Sequence, residues 1–240
     1  MAIVLVHSPF GPASSWMGVA GELRRAGHDV RTPSFASLGD GPGPYWPRYV
    51  STAVAACDGA DEVVIIGHSG AGPLLPAIGV AQGRVKQYVF VDATLPIDGY
   101  TRAGSFTRAE RGSPSWADAA LKGEAPNPWR DARLWRRAGV TDAVRAAALA
   151  AESPAIPLAM NDEPVTVPAA WPDAPVAYLA FTPNPFYEPA VAEARRRSWA
   201  VREIAGAHFH MLIDPTSVAR ELLCCVSERP VVHRESKDRQ

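Results

Sequence analysis

Cysteine is scarce in this sequence, long apolar runs are missing, and neither sign of charge prevails. Only three of the 240 residues are cysteines: Cys57, Cys224 and Cys225. An odd count with two of them adjacent is no disulfide framework, and no Cys/His spacing has the form of a zinc site. No stretch approaches the ~20 apolar residues that a membrane helix needs. With 24 basic and 25 acidic side chains the net charge is -1, which offers no attractive field to nucleic acid or an anionic membrane. The opening Met1-Ala2-Ile3-Val4-Leu5-Val6-His7 is apolar. It lacks a basic leader and stops too soon for a signal peptide, so a cytoplasmic location is expected. There is no internal repeat.

What is present is a core. Hydrophobic residues make up 47% of the chain and charged ones 20%, enough for one large domain that needs no covalent staple. Short apolar runs alternate with longer amphipathic stretches. The spacing predicts strands over Ala2–His7, His28–Thr32, Glu62–Gly67, Gln87–Asp92, Pro175–Phe181 and Ala200–Ile204. Their near-continuous Val/Ile/Leu content suits strands buried on both faces. Helices are expected over Ser15–Ala26, Tyr45–Cys57, Ala71–Ala81, Tyr187–Arg197 and Pro215–Cys225, the first stopped by Gly27. The fold class is therefore α/β: a mostly parallel sheet of about six strands with helices on both faces. Residues 93–173 break the rhythm with a Pro- and Trp-rich insertion, helical near Trp116, over Trp129–Ala138 and over Thr141–Ala151. An insertion that long is usually functional, and we read it as a lid. The domain runs over residues 1–226, and 227–240 form a polar tail.

The strongest local signal is Val63-Val64-Ile65-Ile66-Gly67-His68-Ser69-Gly70-Ala71-Gly72-Pro73-Leu74. A strand runs into a small-residue turn and then a helix. Such a turn strains its central serine and exposes Oγ at the C-terminal edge of the sheet. Gly70 N–H then faces an oxyanion, aided by the helix N-terminus. The usual pattern is G-x-S-x-G, and here the last glycine is Ala71. Two other readings exist. Ser69 can cap the helix, or the glycines can cradle a dinucleotide with Asp92 as ribose ligand. The second is disfavoured because this is the third strand and Pro73 intrudes on the helix start.

A serine nucleophile needs a base. His208, in Ala205-Gly206-Ala207-His208-Phe209-His210-Met211, follows the last strand and lies after the nucleophile in sequence, as the order of such triads requires. His210 is expected to line the pocket. Asp92, ending Tyr88-Val89-Phe90-Val91-Asp92, is the favoured acid. Asn184, after the following strand, stands where a carboxylate is more usual, and an amide cannot balance an imidazolium with a full charge. Glu188 is a nearby alternative.

These residues resemble the α/β-hydrolase superfamily from Met1 to about Val226. Val4-Leu5-Val6-His7-Ser8-Pro9 with Trp16 is similar to the first loop of the plant hydroxynitrile lyase and methylesterase group. Asp92-Ala93-Thr94-Leu95-Pro96 looks like the acid position of synthetase thioesterase domains, which supports carrying that role to Asp92. In those relatives the residue at Pro9 donates an oxyanion-hole N–H, and proline has none. Ser8, where the lyases place a threonine hydroxyl, or Phe10 N–H is the expected substitute. His7 is read as structural. The resemblance implies ester or thioester hydrolysis of a small, rather apolar molecule, with no cofactor. Trp16, Trp116 and Trp129 are candidate pocket walls. Two rivals remain: a lyase or cyclase using the same groups to move protons, and a non-catalytic binding domain in which Asn184 marks decay. Oligomeric state is not legible.

Overall fold

The computed structural model describes residues 1–105 and 111–227. Six parallel strands form one sheet: β1 (Ala2–Val6), β2 (Asp29–Arg31), β3 (Val63–His68), β4 (Val85–Val91), β7 (Val176–Thr182) and β8 (Ala200–Ala205), in the order β2-β1-β3-β4-β7-β8. All six expected strands are present, with ends moved by a residue or two. The short β5 (Glu124–Ala125) and β6 (Ile156–Pro157) pair antiparallel within the insertion, a contact too brief to read from sequence.

The alternation along β1 shows why the sheet is two-faced. Ala2, Val4 and Val6 pack toward α2 (Trp46–Ala55) and α3 (Leu75–Gln82), among Tyr49, Ala53, Leu75 and Ile78. Ile3 and Leu5 pack toward α1 (Met17–Arg25) and α9 (Pro215–Ser227), among Val19, Leu23, Val218 and Leu222. Each such fully buried side chain contributes about 1.5–3 kcal/mol relative to exposure. Neither face of the inner strands β1, β3 and β7 reaches water, which is why these strands read as apolar runs. Among the described residues no helix is long and apolar enough to cross a membrane.

Two helix starts differ from expectation. The helix expected from Ser15 opens as a 3-10 turn, Ala13–Trp16, before α1. The helix expected from Ala71 begins as a 3-10 stretch, Ser69–Leu74, with Pro73 inside it. Pro73 has no N–H for an i→i−4 bond, so the chain tightens until α3 begins. Gly27 does stop α1, at a φ of +88°.

Between β4 and β7 the chain forms α4 (Pro114–Ala120), α5 (Ala132–Arg137), α6 (Ala143–Glu152) and α7 (Leu158–Asp162). Glu163 anchors the end of this segment, its carboxylate accepting from the N–H groups of Tyr45 (2.8 Å) and Trp46 (2.9 Å) at the start of α2. Another helix of the sheet, α8 (Glu188–Arg196), follows β7.

The topology places a crevice. β2 lies on one side of β1 and β3 on the other, so the loops after β1 and β3 diverge at the carboxyl end of the sheet. Open α/β sheets bind ligands at such a point. Ser8, Ser69, Asp92, Asn184 and His208 all follow strands at this edge.

Candidate active site

Ser69 has φ +58°, a region that costs a non-glycine residue about 1–3 kcal/mol. The surroundings hold it there. A Cβ on Gly72 would collide with the carbonyl oxygen of Thr94, and one on Gly67 would lie 2.6 Å from Leu75. Thr94 N–H donates to the Ser69 carbonyl at 3.3 Å, tying the turn to the end of β4. The strain and the small neighbours are those expected of an exposed nucleophile, and neither a cap nor a dinucleotide cradle requires them.

His208 Nε2 lies 2.9 Å from Ser69 Oγ, and its Nδ1 lies 2.7 Å from Asp92 Oδ2. Asp92, itself at φ +41°, is fully buried. A carboxylate accepts only, so Nδ1 carries the proton and Nε2 presents a lone pair to the Ser69 hydroxyl. Burial disfavours charge on both partners. It pushes Asp92 up to about 6, against the opposing bonds from Asn184 and the Phe181 N–H. It holds His208 below the ordinary histidine range. At neutral pH the pair is thus a carboxylate and a neutral imidazole ready to accept a proton.

The two alternative acids are not at the imidazole. Asn184 Nδ2 donates to Asp92 Oδ2 at 2.6 Å, so the amide supports the carboxylate rather than replacing it. Glu188 is exposed, on the first turn of α8, and its side chain does not reach His208.

Two buried histidines fix the loops. His68 Nε2–H donates to the His208 carbonyl at 2.8 Å, so the residue before the serine holds the residue facing it. His7 is buried, as expected of a structural residue. Its Nδ1–H donates to the Ser8 carbonyl at 2.8 Å while Nε2 accepts from Phe35 N–H at 3.2 Å. Burial lowers His7 to about 4, so it stays neutral and rigid.

The first loop brings its two candidate donors together. Phe10 N–H points at Ser8 Oγ, 3.2 Å away. The Ser8 hydroxyl accepts that bond and keeps its own proton to give. Ser8 is 2% exposed, and a Cβ built on Gly70 would come within 3.3 Å of its Oγ.

A cavity of about 360 Å³ opens above Ser69 and His208. Its walls include Phe10, Gly70, Thr94, Pro128, Trp129, Asn184, Phe186 and Tyr187. The remainder of the wall is Tyr100, Arg102, Ser105 and Asn127. Of the expected pocket aromatics Trp129 is there, its ring stacked on His208 at 5.7 Å. Trp16 is fully buried in the core, edge-on to His68 at 6.1 Å. Trp116 sits on α4, outside the cavity walls. His210 folds back over Gly206 and packs against Phe181 at 5.8 Å, also outside those walls.

Tyr187 is the residue that sequence reasoning missed. Its OH lies 3.1 Å from Ser69 Oγ, and its ring stacks on His208 with centroids 5.0 Å apart. It was read only as the first residue of a helix. The available signal was the aromatic pair Phe186-Tyr187 just past a strand end on the active edge of the sheet.

The α/β hydrolase family model matches residues 3–221. The chain belongs to the α/β hydrolase family. Solved structures agree on the fold. An extracellular α/β-hydrolase from a Paenibacillus species, described as sharing structural and functional homology with tobacco salicylic acid binding protein 2, superposes with a TM-score of 0.78 at 22% identity, covering 95% of this chain and 100% of that one. Polyneuridine aldehyde esterase, as a mutant, gives 0.65 at 21%, covering 95% and 99%. A pyrethroid hydrolase from Sphingobium faniae gives 0.66 at 16%, covering 94% and 97%. No curated protein matches the sequence.

Proposed function

We propose that this α/β hydrolase is a serine hydrolase that cleaves an ester or thioester of a small, largely apolar molecule through Ser69, His208 and Asp92. One observation carries the reading. A strained serine lies 2.9 Å from an imidazole that lies 2.7 Å from a buried carboxylate, at the floor of a cavity. Nothing structural is gained from that arrangement that a cheaper turn would not supply.

The steps follow from the geometry. As Ser69 Oγ bonds to the substrate carbonyl carbon, His208 Nε2 takes its proton and the carbonyl electron pair moves onto oxygen. Asp92 holds the tautomer and stabilises the imidazolium that forms. Gly70 N–H serves the oxyanion, and the Ser8 hydroxyl, buried beside Gly70 and not itself among the cavity walls, stands in for the N–H that Pro9 lacks. The bond to the leaving group then breaks, and His208 returns the proton to the departing atom. Water repeats the sequence to release the acid. The segment over the cavity acts as a lid, with Trp129 and Phe186 as its apolar walls. The hydrolases and esterase of the same fold support this class of chemistry.

The test is a fluorophosphonate label run beside a panel of esters and thioesters. Ser69 is expected to be the sole modified residue, because only a base-activated serine reacts quickly. Ser69→Ala is expected to lose both labelling and turnover while keeping its melting temperature. Labelling that survives in the alanine variant would sink the nucleophile. A labelled enzyme that cleaves nothing on the panel but rearranges or splits a substrate without water would favour a lyase.

A further inference from the structure

We propose that Tyr187 is a further catalytic residue, one that donates a hydrogen bond to the leaving-group oxygen, and that the substrate is therefore an oxygen ester rather than a thioester. The proposal rests on the serine hydrolase reading and narrows it.

The direction of the Tyr187–Ser69 contact can be derived. His208 Nδ1 gives its proton to Asp92, so Nε2 is an acceptor and the single Ser69 proton is spent on it. At 3.1 Å from Tyr187, Ser69 Oγ must then accept, and the phenol must donate. Burial pushes the phenol above the ordinary tyrosine range, so it keeps its proton throughout. Tyr187, Ser69, His208 and Asp92 thus form a chain of hydrogen bonds that all point one way, each polarising the next.

The position of the phenol says which reacting atom it serves. The leaving atom must lie beside His208 Nε2, because that nitrogen delivers its proton. Tyr187 stacks on the same imidazole with an interplanar angle of 19° and reaches the same Oγ. Tyr187 also lines the cavity in which that atom must stand. The Gly70 N–H and Ser8 lie on the first-loop side of the serine, where the oxyanion forms. Once Oγ is bonded to carbon it becomes a poorer acceptor. The Tyr187 hydroxyl is then released to an oxygen bound to that carbon. When the carbon–oxygen bond breaks, the electron pair stays on the departing oxygen. Tyr187 O–H stabilises it while His208 Nε2 supplies the proton, and Tyr187 gives up none of its own. A thiolate spreads its charge over a large atom and leaves more readily than an alkoxide, so a departing thiolate gains less from this donor.

The experiment compares matched pairs of short alkyl esters and thioesters sharing one acyl group, using wild type, Tyr187→Phe and Tyr187→Leu. The acyl-enzyme is common to each pair, so the ratio of kcat/KM values isolates acylation. Tyr187→Phe keeps the ring on His208 and removes only the hydroxyl. We expect its kcat/KM on esters to fall by ~10²–10³, the range for loss of one preorganised donor, with thioesters falling by less than about tenfold. A structural role would lower both equally and leave the ratio unchanged, and that result overturns the proposal. So does a phenylalanine variant equal to wild type while the leucine variant is crippled, which assigns the residue to packing. Fluorophosphonate labelling of Ser69 separates the two levels. Wild type that labels and cleaves, with a ratio that Tyr187→Phe leaves unmoved, defeats the Tyr187 assignment alone. Wild type that neither labels nor cleaves defeats the hydrolase reading and this proposal with it.

Discussion

Asp92 Oδ2 receives two hydrogen bonds, from His208 Nδ1 at 2.7 Å and from Asn184 Nδ2 at 2.6 Å. The amide therefore supplies what a second carboxylate could not: a donor that keeps the acid ionised without competing for the imidazole. Its effect has a sign. The proposed mechanism needs ionised Asp92 and neutral His208, and burial raises Asp92 to about 6. The acid limb of a kcat/KM profile should thus fall as pH drops through about 6, as a property of the coupled pair. The Asn184 bond lowers Asp92. Asn184→Ala removes that help, so the limb should move to higher pH while activity at pH 8 changes little. Asp92→Asn should cost on the order of 10⁴ in turnover, because the imidazole loses its partner and its tautomer. Glu188→Gln should change neither quantity. If it is the crippling substitution instead, the acid is wrongly assigned. Sequence reading favours Asp92 over Asn184 and Glu188, and Asp92 is the one of the three that the structure brings to the imidazole. The strand-end position of Asp92 was readable, but the support from Asn184 crosses 92 residues of chain and leaves no local trace.

At the scale of elements, the strands were legible because burial on both faces forces a continuous apolar run, as in Val63-Val64-Ile65-Ile66. The turn at Ser69 was legible because only small residues tolerate it. What was not legible was how the turn enters its helix, since that depends on Pro73 and on the carbonyl of Thr94 arriving from another strand. The pocket aromatics failed for a similar reason. Trp16 and His210 lie on active-edge loops, yet both turn inward, toward His68 and Phe181 respectively. The loop after β1 makes a sharper test. Phe10 N–H and Ser8 Oγ bond each other, so the hydroxyl proton is the one left to meet an oxyanion. Ser8→Ala should lower kcat by ~10²–10³ with little change in binding of a ground-state analogue. Pro9→Gly in that background should restore part of the loss by supplying an N–H. Should Ser8→Ala instead lower the melting temperature and spare kcat, the hydroxyl serves the loop and Phe10 N–H serves the oxyanion.

At the scale of the whole molecule, the site is assembled from parts far apart in sequence. The sheet supplies Ser69, Asp92 and His208, and the segment between β4 and β7 supplies Trp129. That segment was recognisable as an insertion from its length, but its internal order was not. The β5–β6 pairing and the Glu163 anchor depend on partners that no periodicity announces.

One product of this assembly is that two aromatic rings stack against the His208 ring, Tyr187 at 5.0 Å and Trp129 at 5.7 Å. An imidazolium formed there is held by both π-systems, and a cationic imidazole quenches the emission of an indole it touches. The enzyme therefore carries its own optical gauge of the protonation state of its base. Burial holds His208 below the ordinary histidine range, so tryptophan emission should dim on acidification only at pH values below the acid limb of activity, which Asp92 sets. Trp129→Phe should erase that step while leaving the emission of the other indoles in place. Excitation of Trp129 during turnover would then display, in real time, the proton passing onto His208 and off again.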